Sequence, residues 1–235
     1  MLTLVIAESA LETIPRELWE HPLIKKHSRR RGKRPGQMLF DRSYHHQAMK
    51  GLKDGLKRGR PDIVHLCLLA ALGSPLNKEG LLRVYVHTIN DYVIWVAPET
   101  RLPKNFNRFV GLMEDLFEHG RVPPSGEPLL TLQAKALPDL VGELKPSYVV
   151  VFDKPGEAKT VEAVASSLAK HERPLAIVGG FPHEGFSERT LSLADEVVCI
   201  DREVLDAWIV VSRVIYEYER AVGLPKERLG GGGVA

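Results

Sequence analysis

"LAIVGGFPHEGF", residues 175 to 186, decides the fold. Leu175 to Val178 is apolar without alternation, the pattern of a strand buried on both faces of a parallel sheet. It runs straight into paired glycines, a Pro-His turn and then Gly185-Phe186. Two similar runs flank it, "YVVVF" (148–152) and "VVCID" (197–201), and the helical stretch "EAKTVEAVASSLAKH" separates the first of them from it. This alternation predicts an α/β domain with a mostly parallel sheet. Ligands of such sheets gather beyond the carboxyl ends of the strands, which makes "FDKPGE", "GGFPHEGF" and "CIDREVLDAW" candidate loops. The glycine pair lacks the GxGxxG spacing of a dinucleotide site. Two readings stay open: a tight turn where no side chain fits, or a cradle in which backbone groups around Gly179, Gly180 and Gly185 close on a flat heterocycle.

Upstream, "LTLVIAE" (2–8) reads as a strand, and Leu11 to Trp19 as a short helix broken at Pro15. "KKHSRRRGKRP" (25–35) has seven Lys or Arg, no acid and no apolar period, and is expected to be a mobile loop or arm. "QMLFD" (37–41) is expected to be a second strand and "HHQAMKGLKDGLKRG" a helix weakened by its glycines. "RPDIVHLCLLAAL" (60–72) predicts a helix from Asp62 that stops at Gly73-Ser74-Pro75. "LRVYVHT" (82–88) and "YVIWVAP" (92–98), separated by "IND", predict a β-hairpin. "NFNRFVGLMEDLFEHG" follows as an amphipathic helix ending at Gly120. A last helix, Glu203 to Ala221, carries Leu205, Trp208, Ile209, Ser212, Ile215 and Tyr216 along one face. The expected organisation is one domain over 1–222, with a basic insertion at about 20–36, a hairpin at about 82–98 and a flexible Gly-rich tail over 223–235.

Composition bounds the function. The net charge of +2 conceals an asymmetry: residues 1–109 hold 19 Lys+Arg against 10 Asp+Glu, and residues 110–235 hold 13 against 20. Such a split suggests that one face meets a polyanion. The longest apolar run, Asp62 to Leu72, is too short and too charged at its flanks to span a membrane, so a soluble, cytoplasmic protein is expected. Cys67 and Cys199 sit far apart in apolar segments and read as buried free thiols, with no metal site expected. No Gly-Lys-Ser/Thr phosphate loop, HExxH or nucleophile elbow is present, which argues against hydrolases.

Two basic groups stand out. Arg60 and Asp62 lie two residues apart at a helix start, where Asp62 is either a cap or the orienting partner of Arg60 in a charge-assisted fork. Arg101, Lys104 and Arg108 have a spacing of three then four, which on a helix shares one face. With the 25–34 run they predict an RNA-binding surface. His45 and His46 are adjacent and cannot jointly hold a metal in the usual spacing, so they read as polar or packing residues.

Together, "LTLVIAESALE", "DRSYHH", "RPDIVHLCLLAALGSPLN", "RLPKNFNRFVGLMEDL", "GGFPHEGF" and "LDAWIVVSRVIYEYE" resemble the ribosome-biogenesis methyltransferases of archaea and eukaryotes. These modify N1 of a pseudouridine in small-subunit rRNA and belong to the SPOUT superfamily, with its α/β trefoil knot. The resemblance runs from Leu2 to about Ala221 and implies S-adenosylmethionine as cofactor. By this likeness Gly179, Gly180, Gly185, Val198, Cys199, Ile200, Asp201, Arg202 and Glu203 are the cofactor positions. Arg60, Arg101, Lys104 and Arg108 match RNA-contacting positions. Arg60 and Asp62 are the candidates for the catalytic centre, with Asp62 assisting loss of the N1 proton directly or through Arg60. It also implies a homodimer formed partly by the last helix, and ribosome-assembly proteins as further partners. Two other classes stay open: a non-catalytic rRNA-binding assembly factor, and a SPOUT enzyme acting on another RNA position.

Overall fold

The computed structural model describes residues 1–230. Its strands are β1 (Leu2–Ser9), β2 (Leu82–Thr88), β3 (Tyr92–Val96), β4 (Arg121–Val122), β5 (Leu130–Ala134), β6 (Tyr148–Ala158), β7 (Pro174–Gly179) and β8 (Glu196–Cys199). They form one sheet in the order β4-β5-β3-β2-β1-β7-β6-β8. β1 lies near the middle, parallel to β2 on one side and to β7 on the other, with Val5 opposite Tyr85 and Ile177. β6 and β8 extend the parallel part, while the β2-β3 hairpin, β5 and β4 add an antiparallel flank. The mostly parallel α/β sheet and the hairpin expected from the sequence are both present.

Burial on both faces explains the unbroken apolar runs. Leu4, Ile6, Val150, Ala176 and Val178 enter one core, under the helices Pro61–Gly73, Val161–Ala169 and Ala207–Ala221. The alternate residues Val5, Ala7, Val151, Leu175 and Ile177 enter the other, under Leu137–Leu144. At about 1.5–3 kcal/mol per fully buried aliphatic side chain, these faces outweigh any single polar contact. Among the described residues, no helix is long and apolar enough to cross a membrane.

The basic extension is the main correction. Residues 25–31 belong to a helix, Pro22–Arg31, not to a mobile arm. Its signals are terminal ones: Pro22 in the first turn, a His21 ring that accepts the Leu23 amide, and Gly32 with left-handed φ at the carboxyl end. Only Ile24 is buried, so no apolar period was visible. The expected strand 37–41 is a single bridge between Thr13 and Leu39, and the expected helix 11–19 is one 3-10 turn at Arg16–Leu18. The expected helix 45–59 breaks into short turns, because Gly51, Asp54 and Gly59 adopt positive φ. These pieces enclose a small core of Ile14, Leu18, Ile24, Met38, Phe40 and Ala48. The buried carboxylate of Glu114 fastens the extension to the helix Phe106–His119, accepting from Arg31 at 2.9 Å, Lys33 at 2.7 Å and the Leu39 amide at 3.2 Å.

Two further expectations fail at the carboxyl end. The last long helix starts at Ala207 and buries Val211, Val214, Ile215 and Tyr218, whereas Ile209, Ser212 and Tyr216 of the predicted stripe are exposed. Leu224–Gly230 is a helix where a flexible tail was expected, and residues 231–235 of that tail lie outside the described residues. Cys67 is buried as expected, but Cys199 is only half-buried.

His45 is a packing residue, fully buried at the end of the short helix Arg42–His45 and stacked on Phe40. Its Nδ1 accepts the Asp41 amide at 3.1 Å, so its Nε2 carries the proton and donates to Nδ1 of His27 at 2.8 Å. Burial and the neighbouring His27 push its pKa down to about 4. The unfolded chain therefore takes up a proton near pH 6.5 that the folded chain refuses until about pH 4, and stability falls as the pH drops through that window. His45→Gln removes this titration. The difference in melting temperature between wild type and His45→Gln is expected to shrink steadily from pH 7 to pH 4, as calorimetry would register.

Candidate functional site

β6, β7 and β8 run parallel, so their carboxyl ends open on one edge of the sheet. There they enclose a cavity of about 470 Å³, within the ~300–1,000 Å³ range of small-molecule sites. Phe152 to Pro155 form one wall, Phe181 to Phe186 a second, and Val198 to Asp201 with Leu205 and Trp208 a third. Arg60 and Ile63 enter from the start of the helix Pro61–Gly73. Of the predicted cofactor positions, Gly179, Gly185, Val198, Cys199, Ile200, Asp201 and Glu203 line the cavity. Gly180 and Arg202 lie outside its lining, the latter exposed.

The two readings divide between Gly180 and Gly185. Gly180 is a close-approach glycine: a Cβ there would fall 2.1 Å from Ser9 Oγ. Gly185 belongs to the cradle. A Cβ on it would lie 3.0 Å from Asp153 Oδ2, the same oxygen that accepts the Phe186 amide at 2.9 Å. Asp153 thus folds the glycine loop back onto β6, a role that the string "FDKPGE" did not disclose. That string is also no simple loop, since β6 continues through it with a register shift between Phe152 and Glu157 against β8. Asp206 and Trp208, within the candidate loop "CIDREVLDAW", are further lining residues that were not among the expected cofactor positions. The Glu203 amide, with Arg213 nearby, holds the Asp201 carboxyl below its usual range, so the third wall ends in a fixed negative charge.

Arg60 and Asp62 form the fork. Nε and Nη2 of Arg60 donate to the two carboxylate oxygens of Asp62 at 2.8 Å each, and both side chains remain about one-third exposed, at 34% and 36%. Asp62 does not cap the helix through its side chain; its hydrogen bonds to Arg60 raise the guanidinium's affinity for its proton further. The expected single helical face for Arg101, Lys104 and Arg108 does not exist. Pro103 and the Asn105 cap hold the chain extended until Phe106, so only Arg108 is helical. All three side chains are nevertheless exposed. Their loop is tied to the Arg60 helix by His65, whose Nε2 bonds the Pro103 carbonyl at 2.7 Å while its ring stacks on Phe109 at 4.3 Å.

A parallel sheet whose last three strand ends wrap a ligand-sized cavity, flanked by an oriented arginine, agrees with the SPOUT-type α/β methyltransferase expected from the sequence. The family model for the EMG1/NEP1 methyltransferases matches residues 4–219, and the chain belongs to that family. It is 49% identical over 224 residues to the ribosomal RNA small subunit methyltransferase Nep1 of Thermococcus kodakarensis, covering 95% of this chain and all of the relative. To the protein of the same name from Thermococcus sibiricus it is 50% identical, over 93% of this chain and 98% of the relative. The crystal structure of Archaeoglobus fulgidus Nep1 bound to S-adenosylhomocysteine superposes with a TM-score of 0.83 at 41% identity, covering 94% of this chain and 98% of that one.

The different roles of the two glycines are separable. Gly180→Ala forces backbone displacement at Ser9 and is expected to cost about 1–3 kcal/mol in urea denaturation. Gly185→Ala needs only a shift of the Asp153 carboxylate and is expected to cost less stability while weakening cofactor binding, as calorimetric titration would measure.

Proposed function

We propose that the protein transfers the methyl group of S-adenosylmethionine to N1 of a pseudouridine in small-subunit rRNA. The observation that carries this reading is the meeting of Arg60, fixed by Asp62, with the three strand-end loops at one cavity. The names of its relatives and the S-adenosylhomocysteine held by the Archaeoglobus fulgidus protein support it. The cavity suits the cofactor. Phe152, Phe186, Val198, Ile200, Leu205 and Trp208 offer apolar walls for a flat base. Asp153, Asp201 and Asp206 place carboxylates where a sulfonium and an ammonium group are favoured, and the missing Cβ of Gly185 leaves room beside Asp153.

The cofactor supplies an electrophilic methyl group; the chain's residues supply alignment. Arg60 presents its remaining donors to the cavity mouth, where an extruded base of an RNA loop is held. Arg101, Lys104 and Arg108 bind the flanking phosphates, positioned relative to Arg60 by the His65 bond to Pro103. Orienting nucleophile and methyl in line is worth roughly 7–11 kcal/mol of the barrier. As N1 forms its bond to the methyl carbon, the carbon–sulfur bond breaks to leave the neutral thioether, and the N1 proton passes to solvent at the open cavity mouth. Asp62 accepts from Arg60 through both carboxylate oxygens and acts through the orientation of that arginine. The exposed Ile209 and Tyr216, with Leu66 on the adjacent helix, form the face through which two copies pair, and the dimer works in the cytoplasm.

Methyl transfer from labelled cofactor is to be measured on hairpins that differ only in uridine or pseudouridine at one loop position. Transfer to the pseudouridine hairpin alone is expected; equal transfer to both would sink the base assignment, and tight binding without transfer would favour an assembly factor. Asp62→Asn is expected to raise KM for RNA more than it lowers kcat, and unchanged kinetics would remove Asp62 from the site. Arg101→Ala, Lys104→Ala and Arg108→Ala are each expected to reduce the slope of log affinity against log salt by about 0.7–1. Equilibrium sedimentation at micromolar concentration should give a dimer that Ile209→Asp with Tyr216→Asp splits into monomers.

A further inference from the structure

Glu8 is a buried carboxylate that the methyl-transfer chemistry does not use. It sits at the carboxyl end of β1 with φ +49, a left-handed conformation that is costly for a residue with a Cβ. Its amide donates to Nδ1 of His87 at 3.3 Å, and its side chain is 12% exposed. Three residues converge on that carboxylate. Lys57 Nζ reaches Oε2 at 2.8 Å, while Oε1 accepts from Ser187 Oγ at 2.5 Å, the Ser187 amide at 3.0 Å and Thr190 Oγ1 at 2.7 Å. Burial opposes the charge, yet these hydrogen bonds hold the carboxyl below its usual range.

The partners come from opposite halves of the site. Ser187 and Thr190 follow directly on the glycine loop, and Ser187 caps the short helix Glu188–Leu191. Lys57 belongs to the basic extension, three residues before Arg60, and its ammonium also lies 4.6 Å from the centre of the Phe181 ring, which lines the cavity. The next residue is held the same way: Arg58 makes a fork with Glu12 at 2.7 Å for each bond, and Glu12 follows β1 as well.

We propose that Glu8 is a positioning residue that clamps the Arg60 segment of the extension and the Ser187 end of the glycine loop to one point, so that the RNA-binding arginine and the cofactor cavity keep a fixed relation. This rests on the cofactor and RNA roles proposed above. Lys57 is the arm of the clamp toward the extension, and Ser187 the arm toward the loop.

The test compares wild type, Glu8→Gln, Lys57→Met and the double variant by hydrogen exchange and by titration with S-adenosylhomocysteine. In Glu8→Gln, amides of residues 54–60 and of 181–190 are both expected to exchange at least about tenfold faster, with β7 unchanged. The dissociation constant for S-adenosylhomocysteine should rise about tenfold, the loss of one charged hydrogen-bond network. Lys57→Met should shift the same two segments, and the double variant should bind no worse than Glu8→Gln alone, because the two act as one unit. A role in stability alone would lower the melting temperature without loosening both segments at temperatures far below it. Loosening of only one segment, or a dissociation constant within twofold of wild type in both single variants, would overturn the proposal. If Glu8→Gln does not fold, Lys57→Met decides by the same criteria. If wild type fails to bind S-adenosylhomocysteine, the cofactor reading is lost and the exchange pattern alone decides the clamp.

Discussion

Two backbone hydrogen bonds at Gly180 hold the molecule's working edge together. Its amide donates to the Ala7 carbonyl and its carbonyl accepts from the Ala10 amide, each at 2.9 Å. They join the exit of the first strand to the exit of the seventh, with Ser9 filling the space where a side chain would otherwise stand. Everything that follows β1 in the chain is thereby delivered beside the glycine loop. The extension can turn through more than forty residues of short helices and still return Arg60 to the cavity, because its departure point is fixed there.

The positive charge of the amino-terminal half has two uses. Arg31 and Lys33 are consumed by Glu114, Lys57 by Glu8 and Arg58 by Glu12, so these cations fasten the extension rather than offer themselves to a polyanion. Removing one partner from a buried pair such as Lys57–Glu8 or Arg58–Glu12 typically costs about 3–5 kcal/mol, far more than the pair itself contributes. The exposed remainder, including Arg29, Arg30, Arg101, Lys104 and Arg108, is what RNA can meet. A count of basic residues along the chain thus overstates the electrostatic footprint.

What could be read from the chain follows a physical division. Unbroken apolar runs such as Leu175–Val178 report burial on both faces, and that alone placed the parallel strands and the edge on which the cavity opens. The helix Pro61–Gly73, expected from Asp62, and the hairpin were also legible, from a Gly-Ser-Pro stop and from alternation. The helix Pro22–Arg31 was not, since it is held by terminal caps and by ion pairs to Glu114 rather than by an apolar stripe. The Arg101-Lys104-Arg108 spacing misled because Pro103 and Asn105 keep the first two out of the helix, although the side chains still share an exposed region. Asp153 and Trp208 fell inside the candidate loops "FDKPGE" and "CIDREVLDAW" but received no individual role, because a lining role depends on where strand ends meet in space.

The position of β1 also governs how the protein can be made. Val5 faces Tyr85 on one edge and Ile177 on the other, so β1 leaves the ribosome well before both of its sheet partners are available. Its hydrophobic side chains gain one neighbour when the β2 segment emerges, but the second edge stays open until most of the chain has been synthesised. Pairings so distant in sequence are slow to close and leave an unpaired strand exposed to aggregation. The antiparallel flank and the Glu114-anchored extension close over shorter sequence separations than the β1–β7 pairing, and all of their residues are synthesised before β7.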